Sequence, residues 1–156
     1  MKSKWIVTML VMVMSMISMN SCAQVPEFSK YSDVKDVTYV YVSQFMLKLA
    51  GKAAAPSVNG VDLKSIMSKL KGLQVVTAEN KEQASKLKND TYAYVEKYHG
   101  ELLMQVDEDG EKVRIYFHEG KRNSVIILLQ EDKEETVVVV FSGSFTLDDV
   151  MKMVKQ

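Results

Sequence analysis

One cysteine, Cys22, and two histidines, His99 and His118, are all the thiol and imidazole this chain offers. A structural zinc site takes four Cys or His ligands, so that set falls short. A single cysteine also forms no internal disulfide. No glycine-rich phosphate loop and no strained serine elbow occurs in the sequence. Carboxylates are plentiful, and a pair such as Glu101 with Asp107 or Glu119 would hydrolyse a glycosidic bond if it stood ~5–10 Å apart in a cleft. Asp107, Asp109 and Gly110 have the look of a calcium loop, yet such a loop needs glycine at its sixth position and glutamate at its twelfth, and this register fails. Asp109-Gly110 reads instead as a hairpin turn. Glu131-Asp132-Lys133-Glu134-Glu135 has the charge to hold a cation, but an acidic turn between two very apolar strands also keeps a hairpin soluble, and that reading is preferred. His99 stands before Gly100 at a helix end, where an imidazole suits the C-terminal carbonyls. These residues imply no metal, no cofactor and no catalytic residue.

Cys22 has a specific context. Lys2 and Lys4 precede an uncharged stretch from Trp5 to Met19, followed by Asn20-Ser21 and the cysteine. A charged start, an apolar middle and a small residue at the cut make residues 1–21 an export signal, shorter than the ~20 apolar residues of a membrane span. Met19-Asn20-Ser21-Cys22 resembles a bacterial lipobox, with Met19 and Asn20 departing from its usual residues. Its rival is ordinary cleavage near Ala23. On the lipobox reading, Cys22 is the lipidated first residue of the mature chain, and residues 22–27 form a short tether. The chain is then anchored to a membrane without crossing it. One acid in Ala23 to Glu27 favours the periplasmic side over surface exposure.

The whole chain has 20 Lys and Arg against 20 Asp and Glu. Loss of the leader removes Lys2 and Lys4 and no acid, leaving a net charge of −2. Six of the 11 methionines leave with it, so a Met-rich binding surface is not indicated. No basic block is present, which argues against nucleic acid as a partner.

The elements that must position these residues can be read from periodicity. Val37 to Val42 alternates as a strand, and Ser43 reads as the N-cap of a short helix through Leu49. Gly51 to Gly60 has loop character. Asp62 is expected to open a helix carrying Leu63, Ile66, Met67 and Leu70, closed by Gly72. Leu73 to Thr77 reads as a strand. A charged helix follows from about Glu79 to Tyr98, with Ala84, Leu87, Thr91, Tyr94, Val95 and Tyr98 on one stripe. The Asn89-Asp90-Thr91 triplet matches an N-glycosylation signal but sits inside this helix and carries no message there. Four strands follow, 101–106, 113–118, 124–129 and 136–141, and Thr146 with Asp149 caps a last helix. This order predicts one α+β domain over 28–156, an antiparallel or mixed sheet of about six strands with helices against it, ending in a β-meander and a C-terminal helix.

Val125 to Leu129 and Val137 to Phe141 are apolar on both faces, so they need cover from helices or from another chain. Arg114, Tyr116 and His118 alternate with Val113, Ile115 and Phe117 as the wet face of a strand. If the face bearing Tyr39 and Tyr41 adjoins them, the five residues make an aromatic and cationic surface for an acidic or glycan-like ligand or a protein partner.

Leu73-Gln74-Val75-Val76-Thr77, Glu101-Leu102-Leu103-Met104, Asp109-Gly110-Glu111-Lys112-Val113 and Phe141-Ser142-Gly143-Ser144-Phe145 before Leu147-Asp148-Asp149 resemble the domain-of-unknown-function family 4252, as do the leader and Val40-Tyr41-Val42-Ser43. The resemblance covers about residues 28 to 153 and implies a small exported or lipid-anchored bacterial protein, with no activity and no site residues to transfer. The sequence thus predicts a non-catalytic, lipid-anchored envelope protein that binds an envelope component or itself. Two other readings stay open: a periplasmic carboxylate-dependent hydrolase and a carrier of a small apolar ligand.

Overall fold

The computed structural model describes residues 24–53, 57–58, 61–62 and 64–154. The leader, Cys22 and Leu63 lie outside the described residues. A helical turn α1 (Pro26–Ser29) runs into a 3-10 turn (Lys30–Asp33) and then β1 (Val37–Ser43), α2 (Gln44–Ala53), β2 (Ser57–Val58), β3 (Val61–Asp62), α3 (Lys64–Met67), β4 (Leu70–Ala78) and α4 (Lys81–Lys97). The meander β5 (Glu101–Glu108), β6 (Glu111–Glu119), β7 (Ser124–Glu131), β8 (Thr136–Gly143) and the helix α5 (Leu147–Val154) complete the chain. Six strands form one sheet in the order β1-β4-β8-β7-β6-β5, and every neighbouring pair is antiparallel. The fold is α+β, as the sequence predicts.

Local chemistry explains most boundaries. Asn80 accepts from the Glu82 amide at 2.9 Å and starts α4, whose Ala84, Leu87, Thr91 and Tyr94 are buried. At its other end His99 takes the left-handed conformation (φ 54°), its amide donates to Glu96, and the Gly100 amide reaches back to Val95 at 2.8 Å. This is a Schellman close with histidine, rather than glycine, in the strained place. Asp109 and Gly110 both have positive φ, 50° and 83°, the requirement of a two-residue hairpin turn whose twist matches its strands. Gly143 serves close approach: a Cβ there would stand 2.3 Å from the Lys69 carbonyl oxygen, which accepts from the Ser144 amide.

Three expectations are corrected. The helix expected to end at Gly72 ends at Met67, and Leu70 already pairs with Gly143 in the sheet, because a nine-residue β4 whose alternate side chains are buried wins over helical spacing. Within Gly51 to Gly60 the described residues are not simple loop: α2 runs to Ala53, and Ser57–Val58 pairs with Val61–Asp62. The tether expected over 22–27 is packed from Val25 onward. Val25 is buried, Pro26 opens a helical turn, and the Val25 amide donates to Gln74 Oε1 at 2.8 Å.

Helices lie on both faces. On one face Val76, Leu129, Val138 and Val140 pack beneath α4, with Phe28 of α1 and Tyr31 of the 3-10 turn. On the other, Leu47 of α2, Ile66 of α3 and Val150 of α5 pack over Phe117, Ile126 and Phe145. The second cover is anchored by the capping box of α5. The Thr146 amide donates to Asp149 Oδ2 at 2.8 Å, the Asp149 amide donates to Thr146 Oγ1 at 3.3 Å, and Lys69 Nζ stands 2.7 Å from the same carboxylate. The Lys69 ammonium and the Thr146 amide together hold the Asp149 carboxyl below the ordinary 3.8, at about 2. A depressed carboxyl stabilises the fold above its unfolded pKa, and that contribution is lost as pH falls from about 4 to about 2. Asp149→Asn should therefore flatten the acid limb of a plot of urea midpoint against pH. An acid limb identical to the parent's would remove the ion pair from the account.

Candidate interaction surface

The cross-strand register settles where the five surface residues stand. Tyr39 pairs with Val76, Val76 with Val138, Val138 with Leu129 and Leu129 with Arg114, so Tyr39 and Arg114 share a sheet face with three strands between them. Tyr41 and Tyr116 stand likewise at the two ends of the next row, through Gln74, Val140 and Ile127. The structure therefore puts all five on one face and does not bring the two groups together.

That face is also the covered one. Gln74 Nε2 donates to the Tyr39 hydroxyl at 2.9 Å, and burial raises the Tyr41 hydroxyl. Arg114 Nη1 donates to the Tyr92 hydroxyl at 2.9 Å and stands 3.5 Å from Glu131 Oε1. Tyr116 meets Tyr92 edge-on at 6.5 Å, and His118 stacks on Tyr98 at 5.2 Å. Burial lowers the His118 pKa, disfavouring the charged ring. The alternation in β6 is as read, but its polar side faces α4: the helix stripe is rich in tyrosine, and tyrosine hydroxyls and ring faces accept what Arg114 and His118 present. Glu131 is corrected in the same way. It belongs to β7 and is buried against Arg114, while Asp132 closes the turn by accepting from the Glu134 and Glu135 amides at 2.8 and 2.7 Å. Those two amides hold the Asp132 carboxyl low. Asp90 of the Asn-Asp-Thr triplet likewise has a structural task, pairing with Lys30 at 2.8 Å and accepting from the Tyr31 hydroxyl.

The opposite face is apolar and half open. Its helices cover the sheet end that carries Ser43, Gly72 and Ser142. Beyond them two rows cross all six strands: Val40, Val75, Val139, Leu128, Ile115 and Met104, then Thr38, Thr77, Val137, Gln130, Val113 and Val106. None of the twelve is charged and none is fully buried. Val40 is 45% exposed and Met104 53%. At the Met104 edge, β5 is exposed along its whole length; Leu102, paired with Tyr116, belongs to the row on the other face. On α2, Phe45, Met46 and Leu49 are exposed, with Phe45 at 69%. Apolar residues scattered singly on a surface need no explanation, whereas a contiguous sheet face does.

Glu101, Asp107 and Glu119 do not come together in a cleft. Glu101 pairs with Phe117, which makes Glu119 its diagonal neighbour, but both are exposed at the sheet edge. Asp107 is six residues along β5 from Glu101, about 20 Å away. An open groove of about 660 Å³ lies instead at the far hairpin turns, lined by Glu79, Asp109, Glu111, Asp132, Glu134 and Glu135 against Lys133. Between α4 and the sheet, the cavity at Tyr94, Tyr98 and His118 measures about 10 Å³, too small for an apolar ligand. Among the described residues no group of three or more His, Cys, Asp or Glu could hold a metal ion, and no helix is long and apolar enough to cross a membrane.

A family model described as Domain of unknown function (DUF4252) matches residues 31–153. No curated protein and no solved structure matches the chain.

Proposed function

The chain belongs to the DUF4252 family, and from that premise we propose that it is a non-catalytic interaction module of the bacterial cell envelope, exported by residues 1–21 and held on the periplasmic side by lipid on Cys22. The observation that carries the interaction reading is the half-open sheet face, two uncharged rows across six strands whose inner strands β7 and β8 are apolar on both sides. Leaving such a face in water forgoes roughly 25 cal/mol for each Å² of apolar surface. A partner recovers it. Anchorage fits the packing of the N-terminal segment: two residues, Ala23 and Gln24, separate Cys22 from the buried Val25, three steps that span about 10 Å at most, so the module would stand directly on the membrane.

Two measurements test these parts separately. Intact mass spectrometry of membrane-fraction protein is expected to give a chain starting at Cys22 with diacylglycerol and acyl groups, absent from Cys22→Ser; an unmodified chain starting after Cys22 would end the anchorage reading. A photoreactive residue placed at Val40 or Met104 in intact cells is expected to form an adduct that the same residue at the exposed Ala93, on α4 over the other face of the sheet, does not. Equal labelling at all three positions, or none, would end the interaction reading.

A further inference from the structure

We infer that the occupant of the open face is a second copy of this chain, stacked sheet on sheet about a two-fold axis that runs from β1 towards β5. The inference rests on the interaction reading and names its partner. Its first support is the shape of the patch. Five strand spacings of ~4.8 Å make the two rows about 24 Å wide, and two rows of ~7 Å make them about 14 Å deep, roughly 340 Å² in plane. One side of a standard interface gives about 800 Å², so a flat contact over the rows alone is too small. The missing area is adjacent. Phe45, Met46 and Leu49 of α2 and Met151 of α5, all exposed, rise from the covered end of the same face and would flank the open rows of a copy turned end for end.

Charge supports the same arrangement. The end of the sheet carrying the β5–β6 and β7–β8 turns is acidic, with six carboxylates against Lys133 around its groove. At the other end Lys48, Lys71, Lys121, Arg122 and Lys152 outnumber Glu101, Glu119 and Asp148. Face-to-face stacking with the strands parallel would set acid on acid. A two-fold axis along the strand order reverses one copy, so the cationic end of each lies on the acidic end of the other. The rows themselves hold no charge to bury.

The axis also agrees with the chain's entry. Val25 bonds to Gln74 of β4, one strand from the β1 edge and on the face away from the open rows. Rotation about the β1-to-β5 direction exchanges the sheet ends and leaves both β1 edges on the same side. Both N-terminal segments then emerge toward one plane, and two anchored copies can share one membrane.

The Cys22→Ser chain, which cannot be lipidated, tests the inference by sedimentation over a concentration series. A dimer is expected, weakened at least tenfold by Val40→Lys with Met104→Lys, whose circular dichroism should match the parent's. Lys121→Glu with Arg122→Glu should weaken it by a similar factor, and Glu134→Lys with Glu135→Lys added to that pair should restore it, which a merely structural role for either pair would not do. A dimer indifferent to these substitutions would overturn the inference, because it would be built elsewhere. A strict monomer would overturn it too. In that case, adducts from Val40 and Met104 with the mass of another molecule would leave the interaction module standing, and the absence of adducts would remove both.

Discussion

Gln74→Ala should cost about 3–5 kcal/mol, from a buried unsatisfied amide and a side-chain-sized cavity. Gln74 is fully buried in the centre of the sheet. Its Oε1 accepts from the Val25 amide at 2.8 Å, and its Nε2 donates to the Tyr39 hydroxyl at 2.9 Å and to Ser29 Oγ at 3.1 Å. One side chain therefore ties α1 and β1 to β4. The loss should be uneven across the molecule: hydrogen exchange should accelerate over residues 25–33 well before the meander responds. Gln74→Leu separates the two contributions, since it keeps most of the volume and removes every bond. It is expected to cost about 2–3 kcal/mol of the 5–15 available to a typical domain. A Gln74→Leu protein as stable as its parent in urea, with residues 25–33 equally protected, would mean that apolar packing of Phe28 and Tyr31 alone docks the segment. If Cys22 carries the proposed lipid, release of that segment would also lengthen the link between Cys22 and the sheet from about 10 Å to about 40 Å.

Gln74 shows why part of this fold was legible and part was not. Asp109-Gly110, the Thr146–Asp149 box and the Ala84-to-Tyr98 stripe are local signals whose partners lie within four residues, and each formed as read. Gln74 sits within Leu73-Gln74-Val75-Val76-Thr77 with partners 35 to 49 residues away, so nothing beside it announces a buried network. Leu70 satisfied a helical spacing and a strand equally well, and only its pairing with Gly143 decides between them. The open face was half legible. The two-sided apolar strands demanded cover on both faces, but that the helices would cover only one end of one face depends on where α2, α3 and α5 pack. The aromatic patch misled because alternation tells which side chains share a face and not which face the helix takes.

Arg114→Met should cost about 2–4 kcal/mol through what it leaves behind. Arg114 and Glu131 are diagonal neighbours across β6 and β7, with side chains 17% and 11% exposed and 3.5 Å between Nη1 and Oε1. Glu131 Oε2 is buried with no other bond among the described residues. Removing one partner of a pair this enclosed strands the other charge, which is far costlier than the pair's net contribution. The Tyr92 hydroxyl loses its donor at the same time, so the edge contact of Tyr92 with Tyr116 is expected to loosen. Glu131→Gln introduced beside Arg114→Met should return about 2 kcal/mol, because the stranded charge is gone while the shape is kept. The outcome is read as the coupling term of a double-mutant cycle in urea. A coupling near zero would mean that water reaches Glu131 and screens it, and α4 would then cover β6 less tightly than the Tyr92 and Arg114 contacts require. A coupling of the expected size makes the pair the polar counterpart of the apolar rows on the opposite face: on one side of β6 charge is enclosed and neutralised by the chain itself, and on the other apolar surface is left open.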